Sequence, residues 1–378
     1  MSVQDKLNKT GPRKLLALDG GGIRGIMTLE ILAKIESELQ KTLSRDDSFV
    51  LADYFDYVAG TSTGAIIATC LSLGMRVDDI RDFYVQSGPA MFSKARLLDR
   101  FYRNKFVDKN LAEQLQAVIA EKTGEPKATL GTDKLKTFLL LVMRNATTDS
   151  PWPVSNNPAA KYNDCNRLDC NLNLPLWQLV RASTAAPVYF PPEVVEVGDL
   201  DFIFVDGGVT MYNNPAFQLF LMATVEPYNL NWPTGEDQML LVSIGTGLNP
   251  KANALLQPNE MNLIYNASSI PSALMFAAQN EQDLLCRVFG RCLTGDMIDG
   301  EVGNLIDKKG PTQSKLFTYM RYNAELSRAG LDDLGLTHIV PEDVQALDSV
   351  EHIPELQEVG RAVAERYVKA EHFATFLS

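Results

Sequence analysis

The chain has 378 residues, of which 46% are apolar and 22% are charged, so it can bury the core of one large domain. Its net charge of −12 argues against a binder of DNA or RNA polymers, because neutralising a phosphate backbone requires a basic surface. The first residues lack the apolar segment of a signal peptide, and no apolar stretch approaches the ~20 residues of a membrane span. We therefore expect a cytoplasmic protein.

The first predicted strand runs into a turn rich in glycine. Residues 13–21 contain a short apolar strand that runs into Asp-Gly-Gly. Residues 23–43 follow with apolar side chains at helical spacing. Residues 55–75 repeat this order, with a strand ending near Gly60, a tight turn, and an Ala- and Ile-rich helix that we expect to be largely buried. Further buried strands are predicted within residues 134–147, 200–208 and 237–247.

The alternation of buried strands with helices predicts an α/β fold. We expect three α/β/α layers, in which a mainly parallel sheet is covered on both faces. Residues 147–166 are rich in proline and asparagine and predict an ordered loop over the sheet, and strand signals fade after about residue 250. We therefore expect a single domain over residues 1–378, with a core at about 14–250 and a mostly helical extension at about 251–378.

A G-x-S-x-G pattern lies between the second predicted strand and its helix. In GTSTG the central residue is Ser62, flanked by Gly60 and Gly64. Small residues allow a sharp turn that lifts the serine hydroxyl above the sheet edge, where a helix N-terminus favours negative charge. The same pattern also occurs in turns that only pack a helix on a sheet. The strand–turn–helix context favours a nucleophile.

A serine nucleophile needs a base to accept its proton. Asp206 closes an apolar strand and precedes Gly207 and Gly208, which allow a close approach to Ser62. A partly desolvated carboxylate can act as the base, so Asp206 is the better candidate. A Ser–Asp–His order stays open, as does a merely structural turn at Asp206. All three histidines lie in the late helical region, away from clear strand ends: His338, His352 and His372.

The turn after the first strand, DGGGIRG, matches G-x-G-x-x-G through Gly20, Gly22 and Gly25. This pattern suggests a dinucleotide site, which would need an acidic residue closing a second strand about 20 residues later. Residues 46–47 are acidic but lie in a polar loop, no P-loop occurs, and Asp19 would oppose a pyrophosphate. We favour an oxyanion hole, in which glycine amides at a helix N-terminus bind the charge that develops on an attacked carbonyl.

Three motifs in this order resemble the patatin-like phospholipase family, whose pattern is D-G-G-G-[IV]-[RK]-G, then G-x-S-x-G, then D-G-[GA]. Here they are DGGGIRG (19–25), GTSTG (60–64) and DGG (206–208). Three smaller stretches agree with the family: RASTAAPVYFPP (181–192), VDGGVTMYNNPA (205–216) and VSIGTG (242–247). The resemblance covers about residues 14–250.

This resemblance implies a hydrolase that cleaves acyl esters of phospholipids or other lipids without a metal or cofactor. Ser62 would be the nucleophile and Asp206 the base of a Ser–Asp dyad. The amides of Gly21 and Gly22 would form the oxyanion hole, and Arg24 would support that loop. The phospholipid membrane surface would be the substrate, and we expect peripheral action on the inner membrane.

The stretch WPVSNNPAAKYND (152–164) and the helical tail resemble a bacterial subgroup encoded beside cyclic-oligonucleotide synthases in anti-phage defence. This resemblance implies activation by a cyclic di- or trinucleotide, and a homo-oligomer is a further expectation. The alternatives are a constitutive lipid hydrolase and a ligand-gated assembly protein with a vestigial site. Residues 91–110 interleave basic and aromatic side chains, which suits a membrane contact, a lid or an anion pocket as well as a plain core helix.

Overall fold

The computed structural model describes residues 2–92, 100–187, 189–249 and 263–377, with the backbone only for residues 100–110 and 263–272. Within these residues one nine-stranded sheet forms the centre of the molecule. Its strands are β1 (Arg13–Leu18), β2 (Tyr57–Thr61), β3 (Phe138–Asn145), β4 (Ser150–Ser155), β5 (Glu193–Val197), β6 (Leu200–Asp206), β7 (Met239–Ile244), β8 (Arg291–Thr294) and β9 (Thr318–Tyr322).

Hydrogen-bonded pairing connects β5 to β6, then β3, β2, β1, β7, β9 and β8 in turn. Strands β2 and β6 pair with one edge of β3, and β4 pairs with its other edge. From β3 to β8 in this order, neighbouring strands run parallel. The β4, β5 and β6 strands pair antiparallel. The α/β class with a mainly parallel sheet, predicted from the sequence, is confirmed.

Helices cover both faces of this sheet. They are α1 (Val3–Asn8), α2 (Gly25–Thr42), α3 (Leu51–Tyr54), α4 (Thr63–Ser72), α5 (Val77–Phe92), α6 (Arg100–Thr123), α7 (Leu176–Ser183), α8 (Ala216–Thr224), α9 (Leu263–Phe289), α10 (Arg328–Asp333), α11 (Pro341–Gln345) and α12 (Ile353–Tyr367).

Side chains alternate between the two faces along each strand. Leu16 and Leu18 of β1 belong to a core that includes the apolar sides of α2, α4 and α12. Leu15 and Ala17 belong to a second core, on the opposite face, that includes α8. Each fully buried leucine stabilises the fold by about 1.5–3 kcal/mol relative to an exposed one. Because both faces of the central strands carry such residues, the two cores together fix the position of these strands.

The prediction of a loop over residues 147–166 is wrong for Ser150–Ser155, because these residues form β4 and pair with β3. Pro151 and Pro153 obscured this strand in the sequence. Proline has no backbone N–H to donate and is found on strands at the margin of a sheet. Within the described residues β4 pairs with β3 alone. The other edge of β4 therefore needs no backbone N–H donors, and prolines are tolerated there.

The region after about residue 250, where a mostly helical extension is expected, also contributes two strands. Strand β9 pairs with β7, and β8 pairs with β9, so the sheet continues into the C-terminal region. Both strands are short, and β9 carries a buried charged residue, Arg321. The buried charge interrupts the apolar run that identifies an interior strand.

Residues 91–110 were singled out as a membrane contact, a lid, an anion pocket or a core helix. Residues 93–99 and the side chains through 110 lie outside the described residues. None of the described helices combines the length and apolar character needed to cross a membrane.

Candidate active site

The glycine-rich turns follow neighbouring strands and meet at one edge of the sheet. Leu18 at the end of β1 is in register with Gly60 of β2 and with Ile244 of β7. Because these strands are parallel, the segments that follow them leave the sheet side by side at its carboxyl edge, where sites of α/β proteins form. Residues 19–25, here called the glycine-rich loop, therefore lie between the serine turn and residues 245–247.

Ser62 occupies a strained position between β2 and α4. Its φ of +55° and ψ of −123° lie in a region that residues other than glycine rarely adopt. A Cβ atom at Gly60 would lie 2.0 Å from the carbonyl oxygen of Gly64, and one at Gly64 would lie 2.3 Å from that of Leu18. Glycine alone fits at both positions, so the G-x-S-x-G pattern meets a steric requirement of this turn.

The backbone N–H of Ser62 is held by Ser183, the last residue of α7. It donates to Ser183 Oγ over 2.9 Å, and that hydroxyl donates to the carbonyl oxygen of Val142 in β3 over 2.5 Å. Ser183 is fully buried, so water does not compete for these bonds. The strained turn is thereby tied to β3. Sequence reasoning gave Ser183 no role, although it lies within RASTAAPVYFPP.

Strand pairing brings Asp206 to the same turn. Strand β4 pairs with residues 140–145 of β3 on one edge, so β6, which pairs with residues 143–145, must use the other edge. That edge is the one along which β2 pairs with residues 138–142. The carboxyl ends of β2 and β6 therefore meet, although the two strands run in opposite directions.

Ser62 and Asp206 are joined by a short hydrogen bond. Ser62 Oγ donates to Asp206 Oδ2 over 2.6 Å, and the N–H of Gly208 donates to Asp206 Oδ1 over 2.6 Å. Burial raises the pKa of the Asp206 carboxyl to about 6, while these hydrogen bonds and the positive charge of Arg181 oppose the rise. The carboxylate is thus charged at neutral pH, with a pKa close enough to neutrality for it to accept and return a proton.

The glycine-rich loop passes directly over the serine. A Cβ atom at Gly20 would lie 3.2 Å from the Cβ of Ser62. The N–H of Gly20 donates to the carbonyl oxygen of Asn213 over 3.1 Å, and Thr246 Oγ1 donates to the carbonyl oxygen of Gly20 over 2.7 Å. Over the described ranges, the N–H groups of residues 21–22 find no acceptor. They are therefore not used in the hydrogen bonding of the described residues.

Gly207, Gly22 and Gly25 are glycines for steric reasons. A Cβ at Gly207 would lie 2.3 Å from the carbonyl oxygen of Val142, which lets the chain after Asp206 pass close to β3. At Gly22 the φ of +60° and the carbonyl oxygen of Leu347 exclude a side chain. A Cβ at Gly25 would lie 2.5 Å from Thr63 Oγ1.

Arg24 is buried and turned towards the C-terminal region. Its guanidinium donates to the carbonyl oxygen of Gln345 over 3.2 Å, and burial lowers its pKa to about 10. The N–H of Ile23 donates to the carbonyl oxygen of Leu347 over 2.9 Å. These bonds fix the end of the glycine-rich loop where α2 begins.

Sequence reasoning missed a second anchor of this loop. Asp19 is completely buried and forms an ion pair with Arg321 of β9, with distances of 2.9 and 2.6 Å. No motif marks Arg321. Asn213 and Thr246 lie in YNNPA and SIGTG, which the sequence analysis noted without giving either residue a role.

Each histidine has a partner away from the serine. His338 lies 3.1 Å from Glu358, and His372 Nδ1 lies 2.8 Å from the hydroxyl of Tyr322. His352 lies 3.5 Å from Asp343. None of the three forms a hydrogen bond with the serine or the aspartate of the dyad.

A search for a metal site among the described side chains finds no cluster of three or more His, Cys, Asp or Glu residues. Cys165 and Cys170 have sulfur atoms 3.7 Å apart. No histidine accompanies them. The carboxyl edge of the sheet thus offers a hydroxyl, a carboxylate and free amides as its reactive groups.

Comparison with known proteins identifies the family of this chain. A model of the patatin-like phospholipase family matches residues 16–220. Patatin group M-3 of Solanum tuberosum is 28% identical over 329 residues, covering 77% of this chain and 80% of its own. Patatin-2-Kuras 4 of the same species is 28% identical over 333 residues, covering 77% and 83%. The chain also resembles a solved structure, the crystal structure of VipD from Legionella pneumophila. The match covers 92% of this chain and 67% of that one, at 15% identity and a TM-score of 0.39.

Proposed function

The chain belongs to the patatin-like phospholipase family and is an enzyme of the lipid acyl hydrolase class, and we propose that it cleaves ester bonds of membrane phospholipids with Ser62 as nucleophile and Asp206 as base. The observation that carries this proposal is the 2.6 Å hydrogen bond from Ser62 Oγ to Asp206 Oδ2. A hydroxyl held on a carboxylate is already oriented to lose its proton as it attacks.

In the first half of the reaction, Ser62 Oγ attacks the ester carbonyl carbon while Asp206 takes the hydroxyl proton. The tetrahedral intermediate collapses, the bond to the alcohol oxygen breaks, and Asp206 returns the proton to that oxygen. An acyl group is then bound to Ser62. In the second half, Asp206 takes a proton from water, the hydroxide attacks the acyl carbon, and Ser62 recovers its hydrogen as the fatty acid leaves.

The proposed oxyanion hole consists of the N–H groups of Gly21 and Gly22. Their freedom from other acceptors within the described residues, and the packing of Gly20 against Ser62, support this assignment. Donors fixed in advance stabilise the charge on the attacked oxygen more in the transition state than in the substrate. Loss of one such donor typically lowers kcat about 10²–10³-fold.

Fatty acid release from vesicles tests the proposal. Phosphatidylethanolamine–phosphatidylglycerol vesicles are incubated with the wild type, S62A, D206N and S87A, and free fatty acids are measured by mass spectrometry. Ser87 is a half-buried serine on α5 and serves as a matched control. We expect the wild type and S87A to release fatty acid and the two dyad variants to lose at least about 10³-fold. Unchanged release by S62A would overturn the nucleophile assignment.

We further propose activation by a cyclic di- or trinucleotide in anti-phage defence. The subgroup resemblance motivates this step, and a basic hollow of about 480 Å³ supports it. Four basic residues line it, Arg291, Lys308, Lys309 and Lys315, and its lining also includes Glu236 and Asp307. Guanidinium and ammonium groups suit phosphodiesters.

A panel of cyclic di- and trinucleotides in the vesicle assay tests this regulation. Stimulation by at least one of them is the expected result, and it should weaken in K308A/K309A. A flat response with active enzyme would instead favour the constitutive hydrolase. If neither the wild type nor any nucleotide mixture released fatty acid, the assembly protein with a vestigial site would become the better account.

A further inference from the structure

We propose that Arg321 is a positioning residue for hydrolysis, which acts by holding Asp19 and through it the glycine-rich loop over Ser62. Arg321 touches neither Ser62 nor Asp206 and lies outside residues 16–220, the part that matches the family model. The inference rests on the proposed function, because it assigns a purpose to the geometry of the proposed oxyanion hole.

The contact between Arg321 and Asp19 is a two-pronged buried ion pair. One guanidinium nitrogen donates to Asp19 Oδ1 over 2.9 Å, and the other donates to Oδ2 over 2.6 Å. The Arg321 side chain is 4% exposed and that of Asp19 is 0% exposed. Paired parallel bonds between planar groups fix both orientation and distance.

Further polar contacts leave this pair little freedom to move. The nitrogen that binds Asp19 Oδ1 also donates to Ser243 Oγ of β7 over 2.7 Å. Gln279 of α9 donates to Asp19 Oδ2 over 3.3 Å. The N–H of Asp19 donates to the carbonyl oxygen of Ile244 over 3.1 Å. Side chain and backbone of Asp19 are therefore both held by the C-terminal half of the sheet and its helix.

Asp19 is directly followed by Gly20, and then by Gly21 and Gly22, whose N–H groups would bind the developing oxyanion. Glycines resist rotation about φ and ψ less than other residues, so their amides depend on fixed neighbours for direction. Asp19 is such a fixed neighbour at the start of the loop. A shift of about 1 Å in a catalytic group can cost about 10²-fold in rate.

Stability alone gives a poor reason for this ion pair. Burying two charges carries a large desolvation cost, and well-packed apolar residues often stabilise an interior equally well. A rigid, directional contact at the start of the glycine-rich loop is what apolar packing would not supply. The location of the pair, one residue before the loop glycines, therefore points to positioning.

The test compares two buried arginines of the same region. Arg287 of α9 forms an equally close pair with Asp283, 2.6 Å apart, but contacts residues 296 and 304 and not the glycine-rich loop. R321K and R287K both keep the charge and lose the two-pronged geometry. Initial rates on a water-soluble aryl ester give kcat and KM, circular dichroism checks the fold, and the melting temperature monitors stability.

We expect R321K to lower kcat at least about tenfold with KM within about twofold, because donors that act on the transition state are displaced. R287K should lose a similar amount of thermal stability and keep kcat within about twofold. R321M should lower kcat about 100-fold if it folds. If R321M does not fold, R321K and D19N decide the question, and D19N should lower kcat as R321K does.

A kcat of folded R321K within about threefold of the wild type would overturn the proposal, as would an equal loss of kcat in R287K. The double variant D19N/R321K supports a shared action if its loss is no larger than that of the more impaired single variant, and independent multiplied losses would contradict it. S62A, assayed beside these variants, reports separately on the proposed function, since its inactivity does not depend on Arg321.

Discussion

Ser62 and Asp206 are 144 residues apart in the chain, yet their side-chain oxygens lie 2.6 Å apart. The cause lies in the pairing of β3, whose one edge carries β2 and, beyond the end of β2, the antiparallel β6. Each of these strands ends at the point where the other ends. The contact between Ser62 and Asp206 is therefore fixed by the register of the sheet.

The burial of Asp206 leads to a pH dependence of hydrolysis. Burial raises the pKa of its carboxyl to about 6, and only the charged form accepts the serine proton. We expect kcat/KM for a neutral, water-soluble ester to fall about tenfold per pH unit below pH 6 and to level off above it. Because a histidine base would give a similar midpoint, H338Q, H352Q and H372Q are measured in parallel. If one of these variants no longer showed the fall of kcat/KM below pH 6, the assignment of Asp206 as the base would be contradicted.

The same pKa predicts that D206N stabilises the protein at alkaline pH. A rise from 3.8 to about 6 means that the charged carboxyl destabilises the folded state by up to about 3 kcal/mol. This penalty is fully present above pH 6 and disappears as the pH falls through 6 towards 3.8. Urea unfolding should show D206N more stable than the wild type at pH 8 and equal to it near pH 4. Equal stability at both pH values would rule out the raised pKa.

Ser183 is expected to hold the turn of the nucleophile. S183A leaves the N–H of Ser62 and the carbonyl of Val142 without their partner, which costs about 1–3 kcal/mol and should lower kcat about tenfold. The control is T69V on α4, since Thr69 Oγ1 is buried and has no hydrogen-bond partner within the described residues. T69V should keep both stability and kcat. Equal effects of the two substitutions would argue against a specific role of Ser183.

Gly60 is expected to tolerate no side chain. Its Cβ would lie 2.0 Å from a backbone oxygen, which cannot rotate away as a flexible side chain would. G60A should therefore lower the free energy of unfolding by more than about 2 kcal/mol. G300A, where a Cβ would meet nothing within 4 Å, should change it by less than about 0.5 kcal/mol. Denaturant unfolding compares the two, and a stable G60A would contradict the packing described for this turn.

The sequence predicted the parts of the fold that depend on local backbone constraints. Apolar runs marked the strands β1, β2, β3, β6 and β7, and the glycines around Ser62 marked a turn that only glycine permits. Asp206 was chosen because it closes a strand before two glycines. In each case the feature depends only on a few adjacent residues, so a short stretch of sequence is enough to predict it.

What the sequence did not predict depends on partners distant in the chain. The prolines of β4 argued against a strand there, and the charge of Arg321 argued against one at β9. The charge of Arg321 is tolerated in the interior because it pairs with Asp19. Likewise, the antiparallel direction of β6 follows from its pairing with β3. Nothing in the sequence around Ser183 shows that its hydroxyl accepts the N–H of Ser62, which is 121 residues away in the chain. Such residues are recognised from contacts, which one sequence does not display.

The most direct test of the Ser62–Asp206 dyad is peptide-mapping mass spectrometry after reaction with a fluorophosphonate probe. The probe forms a covalent bond to an activated serine oxygen and releases fluoride. We expect a single adduct on the peptide that contains Ser62 in the wild type, no adduct in S62A, and labelling slowed at least about 10²-fold in D206N. An adduct on another residue, or equal labelling of the wild type and S62A, would contradict the account.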